Sequence, residues 1–382
     1  MKGRARALLS ITAATSAIVA LVPAVTRAQG FGFPQQGPLK PSQTRLAPAE
    51  TTAAARKNKN WMPPKTSWGH PDLQGVWTSD DMRSVPTGRP EAMAGRASLT
   101  PEEFARRASG DDASLDRAVN RETVLRNEYG VRTFGYTSLV TEPADGRIPP
   151  MTPDALKRAG PRDGGTFGPG PFNSPEDFTL YDRCITRGIV GSILPVLYGN
   201  GLRIVQTPKE IVISYEMIHD TRIIPLDGRP HNGPSLRQYL GDSRGRWEGN
   251  TLVVDTTNFT NQTSIGANGN GVRHSDRMKM TERFTRVDPQ MIDYEITVED
   301  PATYTRPFTV RLTITTQPDY TLYEYACHEG NGAVKYALSG ERAYEKTVAD
   351  AVAKGLPIPP RDTGSPYGPP APGVEPARLV NQ

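Results

Sequence analysis

A mainly β fold, an antiparallel meander that closes on itself or stacks as two sheets, is what the second half of this 382-residue chain predicts. Three observations lead there: period-two alternation of apolar and polar residues between about 200 and 330, turn signals at short intervals, and no helical pattern between consecutive strands. Strands joined so closely must pair antiparallel, and this many in one meander tend either to close into a barrel or to form a sandwich.

The alternation is plainest where Ile292, Tyr294, Ile296 and Val298 interleave with Asp293, Glu295 and Thr297, and where Phe308, Val310, Leu312 and Ile314 interleave with Thr309, Arg311 and Thr313. Further strands are predicted at 202–207, 210–218, 221–226, 236–240, 251–256, 278–287 and 321–327, separated by turn chemistry such as Glu248, Gly249 and Asn250. A last helix is predicted from about Glu341 to Lys354, stopped by Gly355 and Pro357, where it would plug or flank the barrel. Upstream, residues 70–200 mix short helices with loops. Thr100, Pro101, Glu102 and Glu103 form a capping box with proline at the first helical position, and a brief helix is expected from Thr152 and Pro153 to Gly160. This part lacks the pattern to bury a sheet alone, so it is expected to contribute the first strand and wrap the β domain of 201–354.

The chain ends read differently. Lys2, Arg4 and Arg6 precede an apolar stretch from Ala7 to Val25, and Thr26, Arg27 and Ala28 offer small residues where a signal peptidase reads, so residues 1–28 are expected to be a leader cleaved before Gln29. The alternative is an uncleaved anchor, but Ser, Thr and Pro23 interrupt a segment already short for a spanning helix. No twin-arginine pair occurs, which favours a Sec-type route to the periplasm or the exterior. Residues 29–69 read as a Pro-rich arm and 355–382 as a Pro-rich tail.

The formal net charge of +4 includes Lys2, Arg4, Arg6 and Arg27, with no acid before residue 29, so the mature chain is formally neutral. It lacks the basic field that nucleic acids or anionic membranes require. Neither nucleic-acid binding nor membrane insertion after cleavage is expected.

Gly75, Val76 and Trp77 have the G-x-W form that opens lipocalin-like barrels, where the Trp plugs one barrel end, and this favours the barrel over the sandwich. Longer motifs carry a second resemblance: PDLQGVW at 71–77, YDRCITRG at 181–188, YEMIHDTR at 215–222, GDSRGRWEG at 241–249 and YEYACHEG at 323–330. Together they resemble a widespread group of secreted bacterial proteins of unassigned function, over about residues 70–345. The resemblance implies export and brings no activity with it.

Cys184 and Cys327 are an even pair in an exported chain and are expected to bridge; the sharper reading, a Cys nucleophile beside His328, is opposed by the tendency of such a pair to oxidise. The G-x-S-x-G at 241–245 lacks the strand–turn–helix context of a nucleophile elbow, because Trp247, Leu252, Val253 and Val254 continue as strand, and it is expected to be a Gly-bounded β-turn. The Gly-rich loop at 266–271 has no helix following it to cradle a phosphate and is expected to be a mobile hairpin loop over the barrel mouth.

Among the five histidines, His70 and His274 are expected in exposed loops. His219 follows Ile211, Ile213, Tyr215 and Met217 in phase, which aims it inward if the strand stays regular. With Asp220, Arg222 and His231 nearby in sequence, it is the centre of a predicted acid/base site, with Tyr215, His328 and Glu329 on the ligand-binding wall. A hydrogen-bonded Asp-His-Arg cluster with a purely structural role is the plain alternative. No H-x-H or H-E-x-x-H spacing and no nucleotide or redox-cofactor motif occurs, so neither metal nor cofactor is expected. The predicted function is recognition of a small organic molecule in a barrel mouth, with hydrolase, lyase or isomerase chemistry if it is transformed. The rival is a non-catalytic envelope protein that binds a partner.

Overall fold

The computed structural model describes residues 61–120, 130, 132–158, 172–196, 198–316 and 320–360. The expected leader and cleavage site, the arm before residue 61 and the tail after residue 360 fall outside them. Twelve strands occur among the described residues: β1 (Gly75–Thr78), β2 (Val140–Glu142), β3 (Gly201–Gln206), β4 (Glu210–Tyr215), β5 (Thr221–Pro225), β6 (Asp242–Glu248), β7 (Thr251–Thr257), β8 (Ser264–Ile265), β9 (Val272–Arg273), β10 (Lys279–Asp288), β11 (Met291–Glu299) and β12 (Phe308–Thr315). Four helices accompany them: α1 (Pro101–Asn120), α2 (Pro153–Arg158), α3 (Gly188–Ile193) and α4 (Ala333–Ala353).

Nine strands form one sheet in the order β5-β4-β3-β1-β12-β11-β10-β7-β6, and β2 pairs with the part of β12 that the short β1 leaves uncovered. Taken around the ring, this is an up-and-down meander whose first and last members, β1 and β12, meet at Thr78 and Thr315. The barrel is nearly closed, and its remaining gap lies between β5 and β6. Eight successive antiparallel pairings leave those two strands running the same way, so no hairpin ladder can join them. Side chains close the gap instead. A Cβ at Gly245 would come within 2.7 Å of Leu226 and 3.0 Å of Ile224, so the glycine lets β5 lean onto β6.

The alternation sets the register. Phe284, Tyr294 and Leu312 lie in one row across β10, β11 and β12, with Ile292 beside Ile314 and Ile296 beside Val310, all of them buried. Across the ring, Leu202 pairs Tyr215 and Ile204 pairs Ile213. Trp77 stands beside Leu202 at 2 % exposure, its indole N–H donating to the Leu73 carbonyl at 2.9 Å, with the Arg286 guanidinium 5.3 Å above the ring. The G-x-W strand thus joins the β3-β4-β5 meander to the β6-to-β12 meander.

Several expectations need correction. Residues 236–240 are turn, held to the barrel by a single bridge between Gln238 and Phe259, and the expected turn at 241–245 is instead the start of β6. Residues 321–327 form no strand: Tyr323 N–H is taken by the Glu216 carboxylate and Cys327 by its bridge to Cys184, so side chains pin an irregular strap. The capping box at Thr100 and Glu103 forms, and the last helix begins earlier than expected, at Ala333. The 266–271 loop closes the hairpin of β8 and β9, as expected. It packs on α3, where Cβ atoms at Gly191 or Gly269 would collide with backbone at 2.2 and 2.5 Å, so glycine serves close approach here.

Candidate functional site

The barrel interior is largely apolar, and it holds a charged pair, Arg222 and Glu282. Arg222 points inward from β5 beside Ile213, with its side chain 2 % exposed, and its Nη1 donates to Glu282 Oε2 of β10 at 2.8 Å. The Tyr294 hydroxyl donates to the other Glu282 oxygen at 2.6 Å, and Tyr215 lies close enough to feel both charges. Burial pulls the Arg222 pKa down, and the Glu282 carboxylate more than reverses this, holding the guanidinium above its ordinary range. The same burial raises the Tyr215 and Tyr294 hydroxyls, which stay protonated. Arg222 Nε and Nη2 have no hydrogen-bond partner.

The predicted convergence of His219, Arg222 and His231 does not form. The inward phase holds through Ile211, Ile213 and Tyr215, but β4 ends there; Ile218 and His219 take left-handed φ of 65° and 48°, and the imidazole is turned out into solvent. Asp220 lies in the same turn and accepts the Thr186 hydroxyl. His328 and Glu329 are exposed in the turn after Cys327. Of the expected ligand wall, only Tyr215 shares an environment with Arg222, and that environment is core.

His231 has a different partner. Its Nδ1 lies 3.1 Å from Asp242 Oδ2, and since a carboxylate only accepts, Nδ1 donates this bond. Asp242 also receives the Asn232 N–H at 2.8 Å, the Asn232 amide at 3.0 Å and Arg244 Nη1 at 2.6 Å. Burial pushes the Asp242 carboxyl up, and these bonds outweigh it, so the group stays below its ordinary range. Ser243, the centre of G-x-S-x-G, bonds the Thr256 hydroxyl at 3.0 Å inside the barrel and is no exposed nucleophile. His274, expected in an exposed loop, is 3 % exposed, bonded to the Thr263 hydroxyl and the Ser275 carbonyl, and stands edge-on to Phe259. His70 is half-buried against Trp247, ring centroids 5.3 Å apart.

A cleft opens at the barrel end, between the 179–193 segment and the 262–273 segment. Thr179, Leu180, Thr186, Arg187, Gln262, Thr263, Ser264, Gly269 and Arg273 line it, and its free volume of about 10 Å³ holds one water-sized group. The Cys184–Cys327 bridge, Cα atoms 5.6 Å apart, fixes one wall. It brings the Tyr325 hydroxyl to 3.4 Å from that of Tyr181 and lets Asn331 donate to the Asp182 carbonyl. Gly188 and Gly269 seat the two walls on each other, since Cβ atoms there would press on Thr263 and on the Arg187 carbonyl.

Arg187 is the residue that sequence reasoning missed. It is 1 % exposed, its Nη1 reaches the Gly199 carbonyl at 3.3 Å, and it lies 5.9 Å from the Tyr181 ring; Nε and Nη2 have no partner. Burial pushes its pKa down to about 10, against the opposing pull of Tyr181, Tyr325, Tyr198 and Asp80. Asp80, 1 % exposed, accepts Thr78 Oγ1 and Asn200 Nδ2, both at 2.6 Å, and burial pushes it up to about 7. Gly199 and Asn200 are consecutive, so a lone buried guanidinium and a lone buried carboxyl flank one dipeptide without bonding each other. Nothing in YDRCITRG marks the second arginine as the buried one.

Among the described residues no group of three or more His, Cys, Asp or Glu side chains is placed to hold a metal ion, and no helix is long and apolar enough to cross a membrane. No family model and no curated protein matches the chain.

Proposed function

We propose that this chain is an exported binding protein that recognises a small organic molecule at the disulfide-clamped end of its barrel rather than in the barrel interior. The observation that carries the reading is the cleft itself, a recess with polar walls, bordered by an arginine that is buried and has unpartnered N–H groups. In the interior the charge already has its counter-ion: Arg222 Nη1 and the Tyr294 hydroxyl both donate to Glu282, although Arg222 Nε and Nη2 are unpartnered there too. The leader-like residues 1–28, the secreted-family motifs and the Cys184–Cys327 bridge support periplasmic or extracellular residence. Binding is favoured over turnover, because His219, Arg222 and His231, the acid/base group the sequence predicts, stand apart.

The test is a thermal-shift screen of the mature chain against small organic compounds. A ligand at a hundred times its dissociation constant stabilises by about 2.7 kcal/mol, a readily measured rise in Tm. A melting temperature unmoved by every compound class overturns the reading. One observation favours partner binding as a second reading: Val205, Val212 and Ile223 align in one row across β3, β4 and β5 on the outer face, with Val205 43 % and Ile223 59 % exposed. Ile223→Lys would abolish a partner complex while leaving a ligand-induced Tm shift intact.

A further inference from the structure

The ligand class follows from the charge balance of the cleft. An arginine cannot escape burial by losing its proton, so a guanidinium at 1 % exposure needs acceptors, and an ion without them carries a large desolvation cost. Two carboxylates bonded to cleft-lining threonines are engaged there. Asp182 takes the Thr179 hydroxyl and N–H, and Asp220 takes the Thr186 hydroxyl. Neither hydrogen-bonds Arg187, and Asp80 is turned to Thr78 and Asn200. Arg187 therefore keeps its charge and two N–H groups with no bonded acceptor and is among the residues that line the cleft, and a second cation, Arg273, whose Nη2 donates to the Arg158 carbonyl, lines the opposite wall.

The remaining walls fit the same ligand chemistry. Ser264 and Gln262 add a hydroxyl and an amide, and no carboxylate lines the cleft. Because Gly188 and Gly269 let the two walls touch, the donors are held in place before anything binds, which lowers the ordering cost of binding. A free volume of about 10 Å³ admits an oxygen atom but no ring, so the body of the ligand must remain outside. A flat, forked guanidinium beside a second arginine is the donor set that carboxylates and phosphates select.

We infer that the cleft takes the oxyanion group of a small molecule, a carboxylate, phosphate or sulfate, with one oxygen seated between Arg187 and Arg273. The inference rests on the proposed binding function and names its ligand class. Its test is the melting temperature of the mature protein titrated with sodium acetate, phosphate or sulfate at constant ionic strength set by sodium chloride, in wild type, Arg187→Gln and Arg273→Gln. The expected result is a saturable rise with at least one oxyanion, lost in Arg187→Gln and shifted to about tenfold higher concentration in Arg273→Gln. The three salts separate a carboxylate ligand from a phosphate or sulfate ester. An equal rise in chloride alone, or a full oxyanion response in Arg187→Gln, overturns the inference. Should Arg187→Gln fail to fold, an unchanged response in Arg273→Gln overturns it as well. If only neutral compounds raise Tm in the wider screen, the oxyanion assignment falls and the binding function stands; if nothing does, both fall.

Discussion

Arg222 and Arg187 are almost equally hidden from water and each leaves Nε and Nη2 without a hydrogen-bond partner, yet only one of them has an anion bonded to it. Arg222 faces Glu282 across the barrel at 2.8 Å, and the Tyr294 hydroxyl occupies the second oxygen of that carboxylate. Arg187 has one long hydrogen bond to a carbonyl, the Tyr181 ring, and no bonded anion. The pairing decides the sign of the electrostatic response: the guanidinium beside Glu282 is held above its ordinary range, and the one beside the cleft is pushed down to about 10. A buried charge with its partner built in is structural, whereas one without is free to take its partner from solution.

The largest way to break this comparison is to orphan Arg222. Glu282→Leu leaves the guanidinium and the Tyr294 hydroxyl without their acceptor in the barrel core, and the expected loss is about 3–5 kcal/mol by urea unfolding. Arg222→Met combined with Glu282→Leu should recover most of that loss, because apolar side chains of similar volume replace the pair without leaving a charge behind. A single mutant as stable as wild type would mean that the pair does not organise the core.

The fold was far more legible than the site, for a physical reason. Period-two alternation reports which face of a strand is buried, so Ile292 to Val298, Phe308 to Ile314 and the inward Ile211, Ile213 and Tyr215 could be read directly. Extending that phase to His219 failed because the chain turns at two left-handed residues, Ile218 and His219, and a β-branched isoleucine is among the residues least expected there. The 321–327 segment also alternates, but Glu216 and Cys184 hold it where a neighbouring strand would have. Arg187 was invisible because burial of a charged residue in a loop depends on long-range contacts, here with residues 199 and 269, that no local pattern encodes. The cysteine pair was readable because only one pairing exists.

A second experiment asks whether Asp80 is the hidden counter-charge of Arg187. Burial raises the Asp80 carboxyl from 3.8 to about 7, against the hydrogen bonds from Thr78 and Asn200. The folded protein therefore holds this proton more tightly than the unfolded chain does. Its contribution to stability is complete below about pH 4, declines as the pH rises, and is gone above about pH 7. Asp80→Asn keeps the shape and removes the titration, so it should be near neutral at pH 4 and stabilising at pH 8 by roughly 2–4 kcal/mol. Destabilisation at pH 8 would show instead that ionised Asp80 compensates Arg187, and the cleft would lose its claim to an unmatched charge.

The smallest expected effect is the most discriminating one. Arg187→Met, measured by urea unfolding in chloride buffer, removes a single hydrogen bond to the Gly199 carbonyl and a cation–π contact near 6 Å, each of which contributes about 1 kcal/mol at most. It also removes the desolvation cost of a buried ion that bonds no anion, and methionine can follow the same path over Tyr181. The two contributions oppose, so the net change should stay within about 1 kcal/mol of wild type, far below the loss expected for Glu282→Leu. A loss of 3 kcal/mol or more at Arg187, on the order seen when a buried pair is broken, would place it beside Arg222 as a structural arginine. A near-zero change leaves a residue that costs the fold about as much as it contributes, which is the behaviour expected of a group positioned for a partner that arrives from outside.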